Sequence, residues 1–411
     1  MNSYQSTNRI VTVDALRGFA LLGILFAHFI FWYSGAGLPN ESYSKFSDIG
    51  SQLAGAFNGI FIFGKFFTFF SFLFGLSFYL QMQSLQKKEE NFVMRYLWRL
   101  VILGVIGLIH HALWRGDILS IYVPLGFILL FARNLSNKWL LIMALLLSFN
   151  VPARIIELIQ LFTPTSKAAN LNTPPEGIDE AKRYYDVIKN GSFIALIIDN
   201  WKALVSKFGF QFGSGRIYIT LGFFMLGAYA GRMKWFESLE ASKPIIKRIC
   251  KISGFSSLGI IIIPIALFLI NNALKLGWEN NRIMSMFFNF LLDAANTFMT
   301  LFYLSGVTML MYRSRWQKIL HPLAPIGKMA LTMYLSQTLF GLVLFYNIGF
   351  GLFEKVSPGI NFLLVFPVFA LQLLFCKWWL RYFNYGPVEW LWRSLTFGKW
   401  YPLKKKQGFA D

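Results

Sequence analysis

The stretch VDALRGFALLGILFAHF, residues 13–29, decides the fold class. It is apolar over nearly the length of about 20 residues that a helix needs to cross a bilayer. The rest of the chain has the same character, since 56% of its 411 residues are hydrophobic and only 14% are charged. Soluble domains carry about 25% charged residues, so this composition argues against that class. The sequence therefore predicts an all-α, polytopic membrane protein.

Apolar blocks of similar length recur along the chain and predict about ten transmembrane helices. We expect them near residues 16–34, 57–82, 96–113, 118–132, 138–158, 215–231, 254–272, 285–311, 324–347 and 360–380. The block at 118–132 is short and predicts either a span or a partly re-entrant segment. Residues 1–411 are expected to form one transmembrane domain, a single helical bundle.

The chain carries 39 Lys and Arg against 19 Asp and Glu, which gives a net charge of +20. These cations are concentrated in alternate short loops, as the positive-inside rule predicts for cytoplasmic loops, and they do not indicate a nucleic-acid surface. Both termini are therefore expected to be cytoplasmic. Residues 159–213 are expected to form an extracytoplasmic loop with one or two amphipathic helices, and residues 381–411 a cytoplasmic interfacial tail.

The first apolar segment carries three ionisable side chains on one side of a helix. Arg17 and His28 are eleven residues apart, which is close to three turns and about 16 Å along the axis. Asp14 lies one turn before Arg17 on the same side. Ionisable residues inside membranes usually mark functional sites, which favours a functional stripe. The alternative is an interfacial ion pair, Asp14 with Arg17, and a structural histidine.

A second polar cluster lies in GLIHHALWRGDILSIY, residues 107–122, where His110 and His111 precede Asp117. A carboxylate beside a histidine sets its tautomer and raises its basicity, as a general base requires. Neighbouring side chains on a helix point about 100° apart, so only one of the two histidines is expected to face inward. The alternative interpretation is a set of interfacial polar residues at a helix end.

A third polar stripe, formed by Asn289, Asp293, Asn296 and Thr300, has helical spacing in the block at 285–311. An aspartate in a spanning helix is expected to face the bundle interior. Asp293 either takes part in a functional site or forms hydrogen bonds between helices. Lys65, in an aromatic stretch, is either a site residue or a lysine that extends to the membrane surface.

Five stretches resemble, in the same order, those of YeiB-like bacterial membrane proteins (domain of unknown function 418). They are VDALRGFALLGIL (13–25), KFFTFFSFLFGLSF (65–78), GLIHHALWRGDILSIY (107–122), IGKMALTMYLSQTLFG (326–341) and YFNYGPVEWLWRSLTFG (382–398). The resemblance covers nearly the whole chain. It implies a multi-pass protein of the bacterial cytoplasmic (inner) membrane.

The first motif also resembles the start of the transmembrane acyltransferase superfamily, which includes the type 3 acyltransferases and the heparan glucosaminide acetyltransferases. In type 3 enzymes an Arg-Gly pair is followed by a histidine needed for acyl transfer, and Arg17, Gly18 and His28 have that spacing. YeiB-like proteins more often have asparagine at the position of His28. The base is therefore either His28 or one of His110 and His111.

This resemblance implies an O- or N-acyltransferase with a cytoplasmic acyl-CoA donor, acetyl-CoA above all, and an extracytoplasmic or lipid-borne acceptor. Three sets of candidate residues follow: catalytic His28, His110, His111 and Asp117; donor-binding Asp14, Arg17 and Lys65; substrate-binding Asn289, Asp293, Asn296, Tyr334 and Gln337. The expected partners are acyl-CoA, membrane lipids and a glycan or lipid acceptor, with neither nucleic acid nor a metal ion. A homodimer is one option.

Two other functions fit the same sequence features. The polar stripes could line the path of a transporter or flippase for a small molecule or a lipid-linked substrate. The chain could also be a structural or regulatory membrane protein whose histidines are replaceable. Bound acyl-CoA favours the enzyme, whereas substrate flux without acyl-CoA favours the transporter.

Overall fold

The computed structural model describes residues 10–35, 46–86, 91–162, 175–278 and 281–405. Regular secondary structure within these ranges is helical, apart from one isolated bridge between Phe383 and Lys404. The predicted all-α class is therefore confirmed. Residues 163–174 of the predicted outer loop and 406–411 of the predicted tail lie outside the described ranges.

The described helices are numbered in chain order. They are α1 (Val11–Ala27), α2 (Ile49–Phe57), α3 (Phe66–Gln86), α4 (Phe92–Leu113), α5 (Leu119–Ala132), α6 (Asn137–Ser148), α7 (Val151–Phe162), α8 (Pro175–Asn190), α9 (Phe193–Lys202), α10 (Leu204–Gly213), α11 (Arg216–Arg232), α12 (Leu239–Leu274), α13 (Arg282–Leu310), α14 (Ser314–Leu320), α15 (Ala324–Lys328), α16 (Ala330–Phe345), α17 (Pro358–Tyr382) and α18 (Pro387–Phe397). Two π-helical turns, His28–Trp32 and Asn58–Ile62, extend α1 and α2.

Six helical segments within the described ranges are long and apolar enough to cross a membrane, and two bent pairs bring the number to eight. A multi-pass membrane protein is therefore supported. The remaining two predicted spans correspond to α5 and α11, which have 14 and 17 residues. These are shorter than a full crossing of about 20 residues, so the number ten stays a prediction.

Two of the predicted spans are broken. The segment at 138–158 consists of α6 and α7, which meet at an angle of 55°. Asn150 lies at this break with a φ of 56°, a left-handed conformation that ends the first helix. The segment at 324–347 is broken at Met329, between α15 and α16, where the chain bends by 83°. Asn150 and Met329 are both completely buried, and non-helical backbone at membrane depth is tolerated where it is buried in protein.

The first helix lies at the centre of the bundle, where Leu16, Leu21 and Leu25 are completely buried. Two glycines on α1 allow its neighbours to approach. A Cβ at Gly18 would overlap the backbone of the turn before α15, and one at Gly23 would overlap a phenylalanine ring at the start of α3. Small residues at helix contacts are the usual basis of close packing in membranes.

The bundle has two ends, which we name the Arg17 end and the His28 end after residues near either end of α1. The helices α8, α9 and α10 lie at the His28 end, where Asn200 contacts the last turn of α4. The helix α18 lies at the Arg17 end, where Trp392 contacts Arg99 near the start of α4. In its described residues the loop contains three helices, α8, α9 and α10, where one or two were predicted, and these lie at the end of α4 away from α18. The membrane face on which each end lies stays a prediction.

Candidate functional site

A cavity of about 270 Å³ lies at the Arg17 end, between α1, α3, α4, α16 and α18. Its walls are mainly aromatic and aliphatic. Four cationic side chains line it, namely Arg17, Arg99, Lys328 and Arg393, and they come from four different helices. Apolar walls combined with several cations suit a ligand with an anionic head and an apolar part.

The Arg17 side chain is fixed by two neighbours. It donates to Asp14 Oδ1 at 2.6 Å, as the i, i+3 spacing predicts, and to Ser77 Oγ of α3 at 2.7 Å. Gly327 lets α15 pack against α1 at this point, because a Cβ there would overlap the carbonyl of Asp14. The next residue, Lys328, thereby reaches the cavity. The predicted pair of Asp14 and Arg17 is present, and its arginine lines the cavity.

Two further arginines, Arg99 and Arg393, line the cavity and were not singled out by the sequence. The Arg99 guanidinium stacks on the Trp392 ring at 3.5 Å from its centroid. Arg393 lies over Tyr385 and Tyr401, at 5.3 and 4.8 Å. Neither guanidinium pairs with a carboxylate in the described part of the chain. Cations held by ring stacking keep their hydrogen-bond donors available for an anion.

Glu389 also lines the cavity, but its oxygens are already engaged. It accepts hydrogen bonds from the backbone N–H groups of Leu331 and Thr332 at 2.7 and 3.0 Å, and from the Thr332 hydroxyl at 2.5 Å. The carboxyl group therefore caps the start of α16. Burial raises the pKa of Glu389, and the Thr332 hydrogen bonds oppose that rise. Glu389 thus supports the start of α16 and forms no ion pair with Arg99 or Arg393 in the described ranges.

The predicted pair of His110 and Asp117 is part of a longer chain of hydrogen bonds. His110 Nδ1 lies 2.7 Å from Asp117 Oδ1, and its Nε2 lies 2.7 Å from Thr338 Oγ1 on α16. All three side chains are buried. Because an ionised Asp117 accepts, Nδ1 carries the proton of a neutral imidazole, and Nε2 accepts from the Thr338 hydroxyl. This order of hydroxyl, imidazole and carboxylate is suited to proton transfer.

Asp117 is held in its ionised form by the turn that contains it. Its oxygens accept from the backbone N–H groups of Leu119 and Ser120 at 3.0 and 2.8 Å, and Lys207 Nζ lies 3.4 Å away. Burial alone would raise the pKa of Asp117. The hydrogen bond from His110 and the charge of Lys207 outweigh burial, so the pKa lies below the ordinary carboxyl value.

His111 is buried as well, although only one of the two adjacent histidines was expected to face inward. The reason is that α9 and α10 cover the end of α4. His111 Nε2 donates to the Asn200 carbonyl at 2.8 Å, so Nδ1 accepts from Lys207 Nζ at 3.2 Å. Lys207 also donates to Ser120 Oγ at 2.8 Å. Both ring nitrogens of His111 are engaged in hydrogen bonds within the protein, which favours a structural role.

His28 faces the same region as His110, from the π-helical turn after α1. Its ring lies 4.6 Å from Trp114 and 6.1 Å from Tyr334, centroid to centroid. The Nδ1 atom of His28 is buried and has no hydrogen-bond partner among the described residues. A buried, unpaired polar atom is costly in apolar surroundings. This unpaired nitrogen in the same region as His110 makes His28 a candidate for contact with a ligand.

Tyr334 connects the cavity with the histidines. It lines the cavity, and its ring centroid lies 5.1 Å from that of His110. Its hydroxyl accepts from the backbone N–H of Ile118, next to Asp117. Thr338 follows Tyr334 by one helical turn on α16, about 6 Å along the axis. The catalytic candidates therefore lie just beyond the inner wall of the cavity.

The remaining predicted site residues lie elsewhere. Lys65 precedes α3 and donates to the Gly59 carbonyl at 2.8 Å. Ser77, which binds Arg17, is twelve residues further along, about 18 Å on a helix, so Lys65 is not a neighbour of Arg17. Gln337 donates to the backbone of α1, at Leu21, and fastens α16 to it.

The predicted stripe on α13 fastens that helix to the broken pair α6 and α7. Asp293 accepts from Asn150 at 2.8 Å and lies 3.4 Å from Arg154, while Asn289 lies 3.4 Å from Glu157. Asn296, one turn after Asp293, lies against the turn that contains Gly64. The structure brings these three residues neither to the cavity nor to the histidines.

Comparison with known proteins places the chain in a family. Residues 230–399 match the model described as "Protein of unknown function (DUF418)". The chain is 31% identical to "Uncharacterized protein YxaH" of Bacillus subtilis (strain 168), over 99% of both chains. The chain belongs to the DUF418 family. It is also 29% identical to "Uncharacterized protein YeiB" of Escherichia coli (strain K12), over 94% of this chain and 96% of the relative.

A further relative is "Uncharacterized 39.9 kDa protein in amylase 3'region" of Bacillus acidopullulyticus, which is 26% identical over 97% of both chains. No solved structure matches the chain. These findings confirm the resemblance to YeiB-like proteins, while the link to acyltransferases stays a prediction. The DUF418 match contains Lys328, Tyr334, Thr338 and Arg393 but not His110, so the candidate site draws on both halves of the chain.

Proposed function

We propose that this DUF418 protein is a membrane-embedded acyltransferase that uses acyl-CoA, acetyl-CoA above all, as its donor. The observation that carries the proposal is the chain from Asp117 through His110 to Thr338, beside a cavity lined by cations. A base oriented by a carboxylate is what the deprotonation of an attacking hydroxyl or amine requires. The acceptor is a glycan, a lipid or a small molecule with such a group.

The cavity supports an anionic donor. Arg99 and Arg393 are stacked on aromatic rings and have no carboxylate partner in the described ranges, so a bound phosphate would compensate their charge. Arg17 and Lys328 add two further cations to the lining. Hydrogen bonds between arginine and phosphate are short, charge-assisted and often bidentate. The apolar walls would hold the pantetheine chain, with its thioester directed towards Tyr334.

The proposed arrangement in the membrane follows from the charges of the loops. The Arg17 end faces the cytoplasm, where acyl-CoA is available, and the His28 end faces outward. Both termini are then cytoplasmic, and α5 and α11 complete a set of ten spans in the bacterial cytoplasmic membrane. The polar interior of the site lies between the two faces, so the acyl group would pass through the protein.

The test of the donor site is acetyl-CoA binding by the purified protein in detergent, measured by calorimetry. Arg99→Gln and Arg393→Gln should each weaken binding roughly 10- to 100-fold, because a hydrogen bond to a charged group contributes about 1.5–3 kcal/mol. Arg315→Gln is the matched control, since Arg315 is exposed and lies outside the cavity. Equal affinity in all three variants would refute the donor site. Substrate flux in proteoliposomes without acyl-CoA would favour a transporter instead.

A further inference from the structure

We propose that Thr338 is the nucleophile of this site and carries the acyl group as an ester between donor and acceptor. The inference rests on the proposed acyltransferase function and adds a covalent intermediate to it. The Thr338 hydroxyl lies 2.7 Å from His110 Nε2, and the opposite nitrogen of that ring lies 2.7 Å from Asp117. Nucleophile, base and orienting carboxylate in this order are the arrangement that activates hydroxyl nucleophiles in acyl transfer.

A second observation concerns the tyrosine beside Thr338. The Tyr33 ring stacks on Phe345 at 5.3 Å and on Trp114 at 5.5 Å, so its position is fixed. Gly341, three residues after Thr338, makes room for it, because a Cβ there would overlap the ring. The Tyr33 hydroxyl is buried next to the Thr338 hydroxyl, and no other described residue is its hydrogen-bond partner. A fixed O–H donor next to a nucleophile can stabilise the oxyanion of a tetrahedral intermediate.

The first half of the reaction consumes the donor. Thr338 Oγ attacks the thioester carbonyl carbon while its proton passes to His110 Nε2. The new C–O bond forms, the C–S bond breaks, and His110 returns the proton to the sulfur of the leaving CoA. Asp117 accepts from the opposite nitrogen throughout and stabilises the transient imidazolium. The products are free CoA and an acyl ester on Thr338.

The second half transfers the acyl group. An acceptor hydroxyl or amine attacks the ester carbonyl, His110 takes its proton, and the same proton returns to Thr338 Oγ as the ester breaks. His28 faces this region with an unpaired Nδ1 atom, which gives the acceptor a hydrogen-bonding partner. An ester intermediate suits a site whose cavity lies on one side of Thr338, because donor and acceptor then never need to occupy the site together.

The test uses the full-length protein in detergent with acetyl-CoA labelled in the acetyl group and with no acceptor present. We expect a burst of free CoA close to one per chain and a covalent label on the peptide that contains Thr338. Alkaline hydroxylamine should release the label, as expected for an oxygen ester. Thr338→Ser should retain the label, whereas Thr338→Val should lose it and reduce acyl transfer by roughly 10²–10⁴. Thr300→Val, which removes another buried hydroxyl, on α13, is the matched control and should keep the label.

The possible outcomes separate this inference from the proposed function. If acetyl-CoA binds to the cavity but neither burst nor label appears, the acceptor attacks the donor directly and Thr338 is not the nucleophile. A label that maps to another residue, or that persists in Thr338→Val, would also show that Thr338 is not the nucleophile. If acetyl-CoA does not bind at all, the proposed function fails together with the inference. The burst and the mapped label in the wild-type protein decide the question even if Thr338→Val does not fold.

Discussion

The substitution Asp117→Asn tests whether a carboxylate sets the chemistry of His110. The asparagine keeps the shape of the side chain but removes its charge and replaces one oxygen with an NH₂ group. In the protein one carboxylate oxygen accepts from His110 and Leu119, and the other accepts from Ser120 and faces Lys207. The amide of asparagine has one oxygen that can accept, so it can replace only one of these two accepting oxygens. Each orientation has a distinct consequence.

If the amide oxygen faces His110, the NH₂ group meets the N–H of Ser120 and the ammonium of Lys207. Two donors then face each other, which costs about 1–3 kcal/mol of folding stability for each unsatisfied buried group. If the NH₂ group faces His110 instead, Nδ1 must accept and Nε2 must carry the proton. His110 then donates to Thr338 and can no longer take its proton. A general base contributes roughly 10²–10⁴ to the rate, so acyl transfer should fall by that factor.

The assay is acyl transfer or acetyl-CoA hydrolysis by the purified protein, with thermal unfolding in detergent measured in parallel. Acetyl-CoA affinity should not change, because Asp117 does not line the cavity. The matched control is Asp293→Asn, which alters a half-buried aspartate bound to Asn150 on the α6–α7 break. It should cost stability without reducing turnover of the folded fraction. Equal turnover in the two variants would show that the carboxylate does not set the tautomer of His110.

Three other predictions concern packing, pH and topology. Gly327→Ala should destabilise the protein by about 1–3 kcal/mol, because the new methyl group overlaps the backbone of α1. Gly259 lies in open space, so Gly259→Ala should leave stability unchanged. Thermal unfolding of the two variants would show the difference. Burial raises the pKa of Glu389, so the folded protein binds a proton at this carboxyl group more tightly than the unfolded chain does. The free energy of unfolding should therefore fall as pH rises from 4.5 through the raised pKa. Glu389→Gln should flatten that dependence in unfolding midpoints measured over a pH series. Single cysteines that replace Lys202 and Arg315, in a background without the native cysteines, should be labelled from opposite sides of the membrane, position 315 from the cytoplasmic side. If both positions are labelled from the same side, the proposed topology is wrong.

The positions of the helices could be predicted from the sequence, but the breaks in them could not. Each of the ten apolar blocks corresponds to helix in the structure. Hydropathy identifies the length of an apolar segment, but it contains no information about a bend within that segment. Asn150 and Met329 lie inside continuous apolar blocks, where tertiary packing bends the chain. The loop at 159–213 shows the same limit, because its helices α9 and α10 contact α4 through Asn200 and Lys207, about ninety residues away in sequence.

The candidate site was predictable where its residues are close in sequence. The pair of Asp14 and Arg17 follows from helical spacing, and the pair of His110 and Asp117 from a short turn. Thr338 carries no charge and is 228 residues from His110, so only the packing of α16 against α4 reveals it.

Arg99 and Arg393 were hidden for a different reason. Basic residues are expected at the cytoplasmic ends of all membrane helices, and the positive-inside rule accounts for a functional arginine as readily as for a topological one. What distinguishes the two kinds is their surroundings. An arginine that only sets topology extends into water, as exposed Arg315 does, and its charge is screened there. Arg99 and Arg393 instead lie against aromatic rings beside a cavity, and neither forms an ion pair with a carboxylate in the described ranges. Two like charges held together in apolar surroundings repel each other and are costly to keep unpaired. A bound anion would remove that cost, which makes these two arginines the strongest indication of a ligand at the Arg17 end.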